Sequence, residues 1–148
     1  MKVVIALGSN LGDREEHLNT AVAELAAVLT ITVVSTFHET EPFGVTDQPM
    51  YLNAVLIGEC DRDPLELLQV MLQIEARQGR EREEKWAART LDLDLIMVEG
   101  YAIESAELTL PHPLAHLRRF VLEPWLEIDP DAQLPRQGAV AEILAGLS

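Results

Sequence analysis

The chain is poor in cysteine, in basic residues and in long apolar runs, and each shortage excludes a class of protein. It has one cysteine, Cys60, in 148 residues, which excludes an internal disulfide and a multi-cysteine metal site. Lys and Arg number 11 against 25 Asp and Glu, a net charge of −14, so we expect no general binding to nucleic acid or to anionic membranes. No apolar run approaches the roughly 20 residues of a membrane-spanning helix.

A targeting segment, an internal repeat and a flexible linker are also absent from the sequence. The apolar stretch from Val3 to Leu7 is too short for a signal peptide, and no low-complexity tract divides the chain. The length fits one core, so we expect a single domain over residues 1–148. The single cysteine favours the reducing cytoplasm, and the lack of a coiled-coil pattern favours a monomer.

Runs of β-branched residues alternate with amphipathic stretches along the first half of the chain. Strands are predicted at Lys2–Leu7, Ile31–Phe37 and Tyr51–Glu59. Helices are predicted from Asp13 to Leu29 and from Asp63 to Gly79, each beginning at an aspartate cap. The apolar face of the second helix is expected at Leu65, Leu68, Met71 and Leu72. Residues 39–50 hold two prolines and a glycine and predict a loop of a length that is often functional.

The second half begins with a cleanly alternating strand, Arg89–Val98. A tight turn at Glu99-Gly100 and a short return strand at Tyr101–Ile103 are predicted next. Short helices are predicted around Phe120–Glu127 and Val140–Leu147. The order β-α-β-β-α-β predicts an α+β sandwich, an antiparallel sheet with helices on one face.

Two aspartates share one face of the strand Arg89–Val98. Because strand side chains alternate, Asp92 and Asp94 point to one side, and Leu91, Leu93 and Leu95 are expected to point into a core. The two aspartate Cα atoms would lie about 7 Å apart, close enough for the carboxylates to repel each other. Mg²⁺ would relieve that repulsion, and substrate phosphates would complete its coordination shell. The alternative is a solvated acidic face without a ligand.

Four of the 11 basic residues lie within ten consecutive positions, 80–89, shortly before the aspartates: Arg80, Arg82, Lys85 and Arg89. Arginine makes bidentate contacts with phosphate, and cations beside a carboxylate pair suit phosphoryl transfer. The alternative is a solvated loop whose cations pair with Glu81, Glu83 and Glu84. The chain has no Gly-x-x-x-x-Gly-Lys-Ser/Thr loop, so side chains and metal would have to hold any phosphates. Gly8 to Gly12 is interpreted as a turn that opens the first helix.

Several short motifs occur in order between residue 3 and about residue 135. They are Gly8-Ser9-Asn10-Leu11-Gly12, Thr40-Glu41-Pro42-Phe43-Gly44, Asp47 to Asn53, Ile74-Glu75, Lys85 to Ile96, Pro111-His112-Pro113 and Arg118-Arg119-Phe120. Together they resemble the 6-hydroxymethyl-7,8-dihydropterin pyrophosphokinase family of the folate pathway. The resemblance implies a ferredoxin-like α+β sandwich. It also implies transfer of pyrophosphate from ATP to the hydroxymethyl group of a reduced pterin, with release of AMP.

The same resemblance implies which residues bind the nucleotide. Asp92 and Asp94 would hold two Mg²⁺ ions that bridge the ATP phosphates. Arg80 and Arg89 would neutralise these phosphates, with help from Arg82 and Lys85. Further nucleotide or phosphate contacts are implied for Glu75, His112 and Arg118. The alternatives are that Glu75 is solvent-exposed and that His112 only fixes a turn.

For the pterin, the resemblance implies a flat pocket. Tyr51 and Phe120 would stack on the two faces of the ring, and Trp86, counted with the nucleotide-binding residues, would close over the site. Asn53, with groups of Thr40, Pro42 and Phe43, would bind the hydrogen-bonding edge. Stacking plus a few aimed polar groups suits a planar ring with a polar rim. The alternatives are core positions for Tyr51 and Phe120 and a solvent-facing Asn53. Trp125 is expected in the core.

Two other functions use the same residues. A metal-dependent phosphohydrolase or nucleotidyltransferase would employ the aspartates on a different substrate. A non-catalytic ligand-binding domain would bind small molecules without Mg²⁺-dependent turnover. The carboxylate pair beside four cations favours catalysis.

Overall fold

The computed structural model describes residues 1–10, 12–40, 50–78 and 91–147. The class is α+β, as predicted, with an antiparallel sheet and four α-helices in these ranges. The elements are β1 Lys2–Ser9, α1 Arg14–Leu25, β2 Thr30–Val34, β3 His38–Thr40, β4 Tyr51–Glu59, α2 Pro64–Gln78, β5 Asp92–Val98, β6 Ile103–Glu104, β7 Thr109–Leu110, a 3₁₀ turn Ala115–Leu117, α3 Arg119–Ile128, β8 Gln133–Leu134, β9 Gly138–Ala139 and α4 Val140–Ala145. No helix in the described ranges has the length and apolar character needed to cross a bilayer.

The main sheet has the strand order β2-β4-β1-β5, and β3 extends it by pairing with β4. All of these pairs are antiparallel. In the central strand β1, Gly8 lies opposite Asn53 of β4 and opposite Asp92 of β5. Residues directly opposite each other point to the same face of a sheet. The register therefore places an amide and a carboxylate on one face, on either side of a glycine.

Helices cover both faces of this sheet, so the prediction of helices on one face is wrong. On one face α1 and α2 contribute Leu18 and Met71 to a core, and on the other α3 and α4 contribute Trp125 and Val140 to a second core. The cause lies in β1, which is buried at every position from Val3 to Ser9. A strand that is apolar on both sides needs cover on both sides. Trp125 lies in the second core as expected, with 1% of its surface exposed.

A β-bulge interrupts the pairing of β5 with β1. Val4 pairs with Met97 and Ile5 with Leu95, which leaves Ile96 as an extra residue. Its side chain is buried in the second core, and its carbonyl oxygen accepts a hydrogen bond of 2.8 Å from the backbone nitrogen of His112. The bulge thus anchors the segment after β7 beside the aspartate strand.

The predicted ends of several elements are wrong where the chain changes direction. The first helix ends at Leu25 rather than Leu29, because the next turn is tighter: the backbone nitrogens of Ala27 and Val28 donate to the carbonyl three residues back, at Glu24 and Leu25. The second strand ends at Val34 because Ser35 inserts its hydroxyl into the ladder, where that hydroxyl accepts a hydrogen bond from the Val55 nitrogen. Beyond Ser35 the chain pairs again as β3, in part of what was predicted to be loop.

Two further predictions are corrected. The return strand is Ile103–Glu104 and pairs with β7. The buried face of α2 is formed by Leu67, Met71 and Ile74, whereas Leu65 and Leu72 are 38% and 48% exposed. The predicted and the observed set of apolar residues both have helical spacing. Packing against α1 and the sheet determines which set is buried. The predicted stop at Gly79 and the start of the strand at Arg89 lie outside the described residues.

Glu127, near the end of α3, joins that helix to the segment between β2 and β3. Its carboxylate accepts hydrogen bonds from the Thr36 nitrogen and hydroxyl, both at 2.8 Å, and lies 2.6 Å from His38 Nε2. The Thr36 backbone hydrogen bond is the largest cause holding the pKa of Glu127 below its usual value. The network fixes β3 against α3.

Replacing Glu127 with Gln is expected to lower the free energy of unfolding near neutral pH by about 1 kcal/mol, because hydrogen bonds to a charged acceptor are lost. In the parent protein the pKa of Glu127 is lower in the folded than in the unfolded chain. As the pH falls below 4.5, Glu127 therefore becomes protonated in the unfolded chain before it does so in the folded one. This stabilisation is therefore present above pH 4.5 and is lost as the pH falls through the pKa of the folded state. Urea unfolding over a pH series should show that the free energy of unfolding falls less steeply below pH 4.5 in Glu127→Gln than in the parent protein. The exposed Glu142→Gln serves as the control, and an equally steep acid limb in Glu127→Gln contradicts the assignment.

Candidate active site

Polar side chains replace apolar ones at one end of the sheet, on the face that α3 covers. Asp92 and Asp94 are half-exposed, whereas Leu91, Leu93 and Leu95 are buried in the opposite core. The predicted alternation is therefore confirmed from Leu91 to Leu95, and the bulge at Ile96 interrupts it beyond that point. Asp94 lies opposite Ala6, two residue pairs from the Gly8–Asp92 pair, so the two carboxylates project from the same side of β5.

Asp94 lies beside two nitrogen-bearing side chains from the segment that precedes α3. Its Oδ1 is 3.9 Å from His112 Nε2, and its Oδ2 is 3.6 Å from a guanidinium nitrogen of Arg118. The guanidinium carbon of Arg118 lies 5.6 Å from the centre of the Phe120 ring, within the range of a cation–π contact. The carboxylate pair therefore lies next to an arginine that also contacts an aromatic ring.

The environment of His112 favours its neutral form. Burial lowers the pKa of His112 from 6.5, the nearby charge of Arg118 lowers this pKa further, and Asp92 partly raises it. Nδ1 accepts a hydrogen bond of 3.1 Å from the Leu114 nitrogen, so the proton of the neutral ring lies on Nε2. That nitrogen lies 3.9 Å from Asp94 Oδ1, and its N–H can donate to an anionic oxygen without adding a charge.

Glu75, in the last turn of α2, holds the aspartate strand from its outer edge. Its Oε2 accepts a hydrogen bond of 2.6 Å from the backbone nitrogen of Leu93, the residue between the two aspartates. Among the described strands, β5 forms this edge of the sheet. Glu75 therefore supplies the Leu93 N–H with the hydrogen-bond acceptor that a neighbouring strand would otherwise provide.

On the other side of Gly8, Asn53 is 5% exposed, so the alternative of a solvent-facing Asn53 is wrong. Its Nδ2 donates to the Thr40 hydroxyl, and Thr40 in turn lies opposite Tyr51 in the ladder. A Cβ atom added at Gly8 would lie 3.0 Å from Asn53 Oδ1. Glycine at this position therefore leaves room for the buried amide.

Two cavities flank this group of residues. One of about 250 Å³ lies next to Asp94 and His112 and is also lined by Leu68, Leu108 and Thr109. The other, of about 160 Å³, is lined by residues that include His38, Thr40 and Phe120. Polar groups at the mouth of partly apolar cavities are typical of small-molecule sites.

Asp92 and Asp94 are the described residues whose chemistry fits a divalent cation. Two carboxylates on one strand face are oxygen ligands of the kind that Mg²⁺ prefers. No group of three or more His, Cys, Asp or Glu side chains suited to a metal occurs in the described part of the chain. Substrate oxygens and water would therefore supply most of the coordination shell, as is usual for Mg²⁺ bound with nucleotides.

Comparison with known proteins gives the family. The model of 7,8-dihydro-6-hydroxymethylpterin-pyrophosphokinase (HPPK) matches residues 4–130. The chain belongs to this family. It is 46% identical over 126 residues to the 2-amino-4-hydroxy-6-hydroxymethyldihydropteridine pyrophosphokinase of Bacillus subtilis (strain 168), covering 84% of this chain and 75% of the relative.

Two further HPPK relatives carry the same name. The enzyme of Mycobacterium bovis is 42% identical over 160 residues, covering 99% of this chain and 84% of the relative. The enzyme of Haemophilus influenzae is 39% identical over 142 residues, covering 95% of this chain and 89% of the relative. As an HPPK, the protein is an enzyme, an ATP-dependent pyrophosphokinase of folate biosynthesis.

The structure gathers one part of the residues predicted for the HPPK site. Two groups of these residues meet at Gly8. The group around the carboxylates comprises Glu75, Asp92, Asp94, His112, Arg118 and Phe120. The group around the amide comprises Thr40, Tyr51 and Asn53. Seven predicted residues lie outside the described ranges: Pro42, Phe43, Arg80, Arg82, Lys85, Trp86 and Arg89.

Sequence reasoning missed two features of this site. Gly8 was interpreted as part of a turn, but it lies inside β1, which extends to Ser9. The signal was a glycine directly after an unbroken apolar run, which indicates a close approach of neighbouring groups as well as a turn. The bulge at Ile96 has no counterpart in the sequence pattern.

Replacing Gly8 with Ala is expected to lower AMP formation by roughly tenfold or more, because overpacking at a buried contact costs about 1–3 kcal/mol. Asn53 can move little, since it is buried and donates to Thr40. Steady-state assays and thermal unfolding measure the effect. Gly146→Ala is the matched control, because a Cβ there meets nothing closer than 3.6 Å. Full activity in Gly8→Ala contradicts the role given to this glycine.

Proposed function

We propose that Asp92 and Asp94 hold Mg²⁺ on the ATP phosphates while the pterin lies on the Asn53 side of Gly8, so that its hydroxyl group attacks the β-phosphorus and AMP leaves. The observation that carries this proposal is the register of three strands, in which Gly8 lies opposite both Asp92 and Asn53. The nucleotide and the acceptor would thus meet above one glycine. The transfer depends mainly on positioning and on neutralising charge.

The metal site is proposed to take two Mg²⁺ ions, with Asp92 and Asp94 as its protein ligands. Bound there, Mg²⁺ would neutralise the triphosphate and stabilise the negative charge of the departing AMP. The half-exposed position of both carboxylates supports this assignment, since substrate oxygens must reach the ions.

The nucleotide is proposed to lie along β5 and the segment before α3. Arg118 would neutralise phosphate oxygens, and the Nε2–H of neutral His112 would donate to one of them. Their positions 3.6 and 3.9 Å from the Asp94 carboxylate support these roles. The adenine base of ATP is proposed to occupy the cavity of about 250 Å³ beside Leu108 and Thr109. Glu75 would act by holding β5.

The pterin is proposed to stack between Tyr51 and Phe120, with Asn53 and Thr40 binding its edge. The buried, hydrogen-bonded Asn53 amide supports this assignment, because a fixed amide can distinguish donors from acceptors. The resemblance supports further proposed contacts from residues outside the described ranges. These are Pro42 and Phe43 at the pterin, Arg80, Arg82, Lys85 and Arg89 at the phosphates, and Trp86 over the site.

We also propose that the fold is ferredoxin-like and that the protein acts as a monomer. The sheet order β2-β4-β1-β5, with α1 and α2 crossing one face, supports a split β-α-β arrangement. In that interpretation α3 and α4 are additions that cover the second face. A net charge of −14 opposes self-association.

Incubation with MgATP and 6-hydroxymethyl-7,8-dihydropterin tests this function, with the products separated by chromatography. AMP and a pyrophosphorylated pterin are expected in equal amounts. Inorganic phosphate or a nucleotidylated product would instead indicate the hydrolase or nucleotidyltransferase alternative. Binding without Mg²⁺-dependent turnover would indicate the non-catalytic alternative.

Replacing Asp92 or Asp94 with Asn is expected to lower kcat by roughly a hundredfold or more, because charge stabilisation at the phosphates is lost. Both side chains face the site rather than the core, so the midpoint of thermal unfolding should change by only a few degrees. The exposed Asp131→Asn provides the control. Near-normal turnover of Asp92→Asn at limiting Mg²⁺ would remove the metal assignment.

A further inference from the structure

Arg14, the first residue of α1, contacts the chain on both sides of residues 41–49. One terminal nitrogen donates to the Met50 carbonyl oxygen at 2.7 Å, and the other lies 2.8 Å from Glu39 Oε2. The Arg14 side chain is 28% exposed. A single guanidinium group therefore holds the end of β3 and the residue before β4 in one place.

The two anchored residues directly precede residues proposed to bind the pterin. Glu39 precedes Thr40, Met50 precedes Tyr51, and Thr40 pairs with Tyr51 across the ladder. Within the described residues this pair is the last one between β3 and β4, and β3 spans three residues. The ladder alone therefore fixes this end weakly, and the Arg14 contacts supply a further constraint.

We propose that Arg14 is a positioning residue for the acceptor site, which fixes Thr40 and Tyr51 in the geometry that binds the pterin. The inference rests on the proposed pterin site. Its position in the chain supports it, because Arg14 follows Gly12, whose positive φ of 72° lets the chain turn between the end of β1 and α1. The strand that carries Gly8 is thereby connected to the opposite wall of the same site.

The geometry requires arginine at this position. The two contacts use different nitrogens of one planar group, whereas the single ammonium of lysine cannot reproduce that fork. Arg14→Lys should therefore keep the charge but only part of the effect. Arg14→Gln should lose both contacts.

The test compares KM for the pterin with KM for MgATP. Arg14→Gln is expected to raise KM for the pterin by roughly three- to tenfold, the range for loss of a partly exposed ion pair and a hydrogen bond. KM for MgATP should change by less than about twofold, and Arg14→Lys should be intermediate. A purely structural role would lower stability and leave both KM values unchanged.

Lys2→Gln is the matched control. It breaks an ion pair of 3.2 Å with Asp129 at the opposite end of β1, so it removes a comparable contact without touching the site. Both KM values should stay at the parent level. If Arg14→Gln does not fold, Glu39→Gln tests the same contact and leaves the Arg14 bond to Met50 in place.

A double-mutant cycle completes the test. Arg14→Gln combined with Glu39→Gln should raise KM for the pterin no further than Arg14→Gln alone, because both changes remove one interaction. Additive effects would overturn the proposal.

A comparison with Tyr51→Ala separates the role of Arg14 from the pterin site itself. If Arg14→Gln leaves KM for the pterin unchanged while Tyr51→Ala raises this KM, the role of Arg14 is overturned and the proposed pterin site stands. If Tyr51→Ala and Asn53→Ala also leave this KM unchanged, the pterin site itself is wrong and the role of Arg14 falls with it.

Discussion

The close approach of three strands at Gly8 is the constraint on which the rest of the site depends. Gly8 lies opposite Asn53 and Asp92, and the space that a side chain would fill is occupied by the Asn53 amide. A buried amide is costly unless it is hydrogen-bonded, and Thr40 supplies a partner. The position of the amide, and with it the proposed boundary between the two substrates, follows from the missing Cβ atom.

The two layers of helices make this arrangement possible because each has a different task. The layer of α1 and α2 buries one face of the sheet and fixes β5 through Glu75. The layer of α3 and α4 buries only part of the other face, and Arg118 and Phe120 lie where this cover begins. Polar residues can therefore remain accessible at one end of a sheet whose centre is apolar on both sides.

Much of the fold could be predicted from the sequence wherever a local signal decides the outcome. The aspartate caps of α1 and α2, the alternation from Leu91 to Leu95 and the burial of Trp125 were predicted correctly. The second helical layer was missed, because it depends on how β1 packs on both sides. The buried stripe of α2 was missed for a similar reason, since two stripes had helical spacing and only tertiary packing distinguishes them.

The site was predictable in its residue types but not in its geometry. Ordered motifs led to the family and to Asp92, Asp94 and Asn53. The hydrogen bonds of His112 and Arg14 were not predictable, because each joins segments far apart in the sequence. The bulge at Ile96 and the break at Ser35 depend equally on the partner strand.

The position of α3 has a consequence for the order in which the parts of the proposed site assemble during synthesis. The carboxylates of β5 leave the ribosome before Arg118 and Phe120, which begin a helix whose Val121, Leu122 and Trp125 are buried in the second core. Docking of that core brings the arginine and the aromatic ring to the carboxylates. If the proposed roles of Arg118 and Phe120 hold, a nascent chain that has folded only its first layer lacks two groups of the site until the C-terminal layer docks.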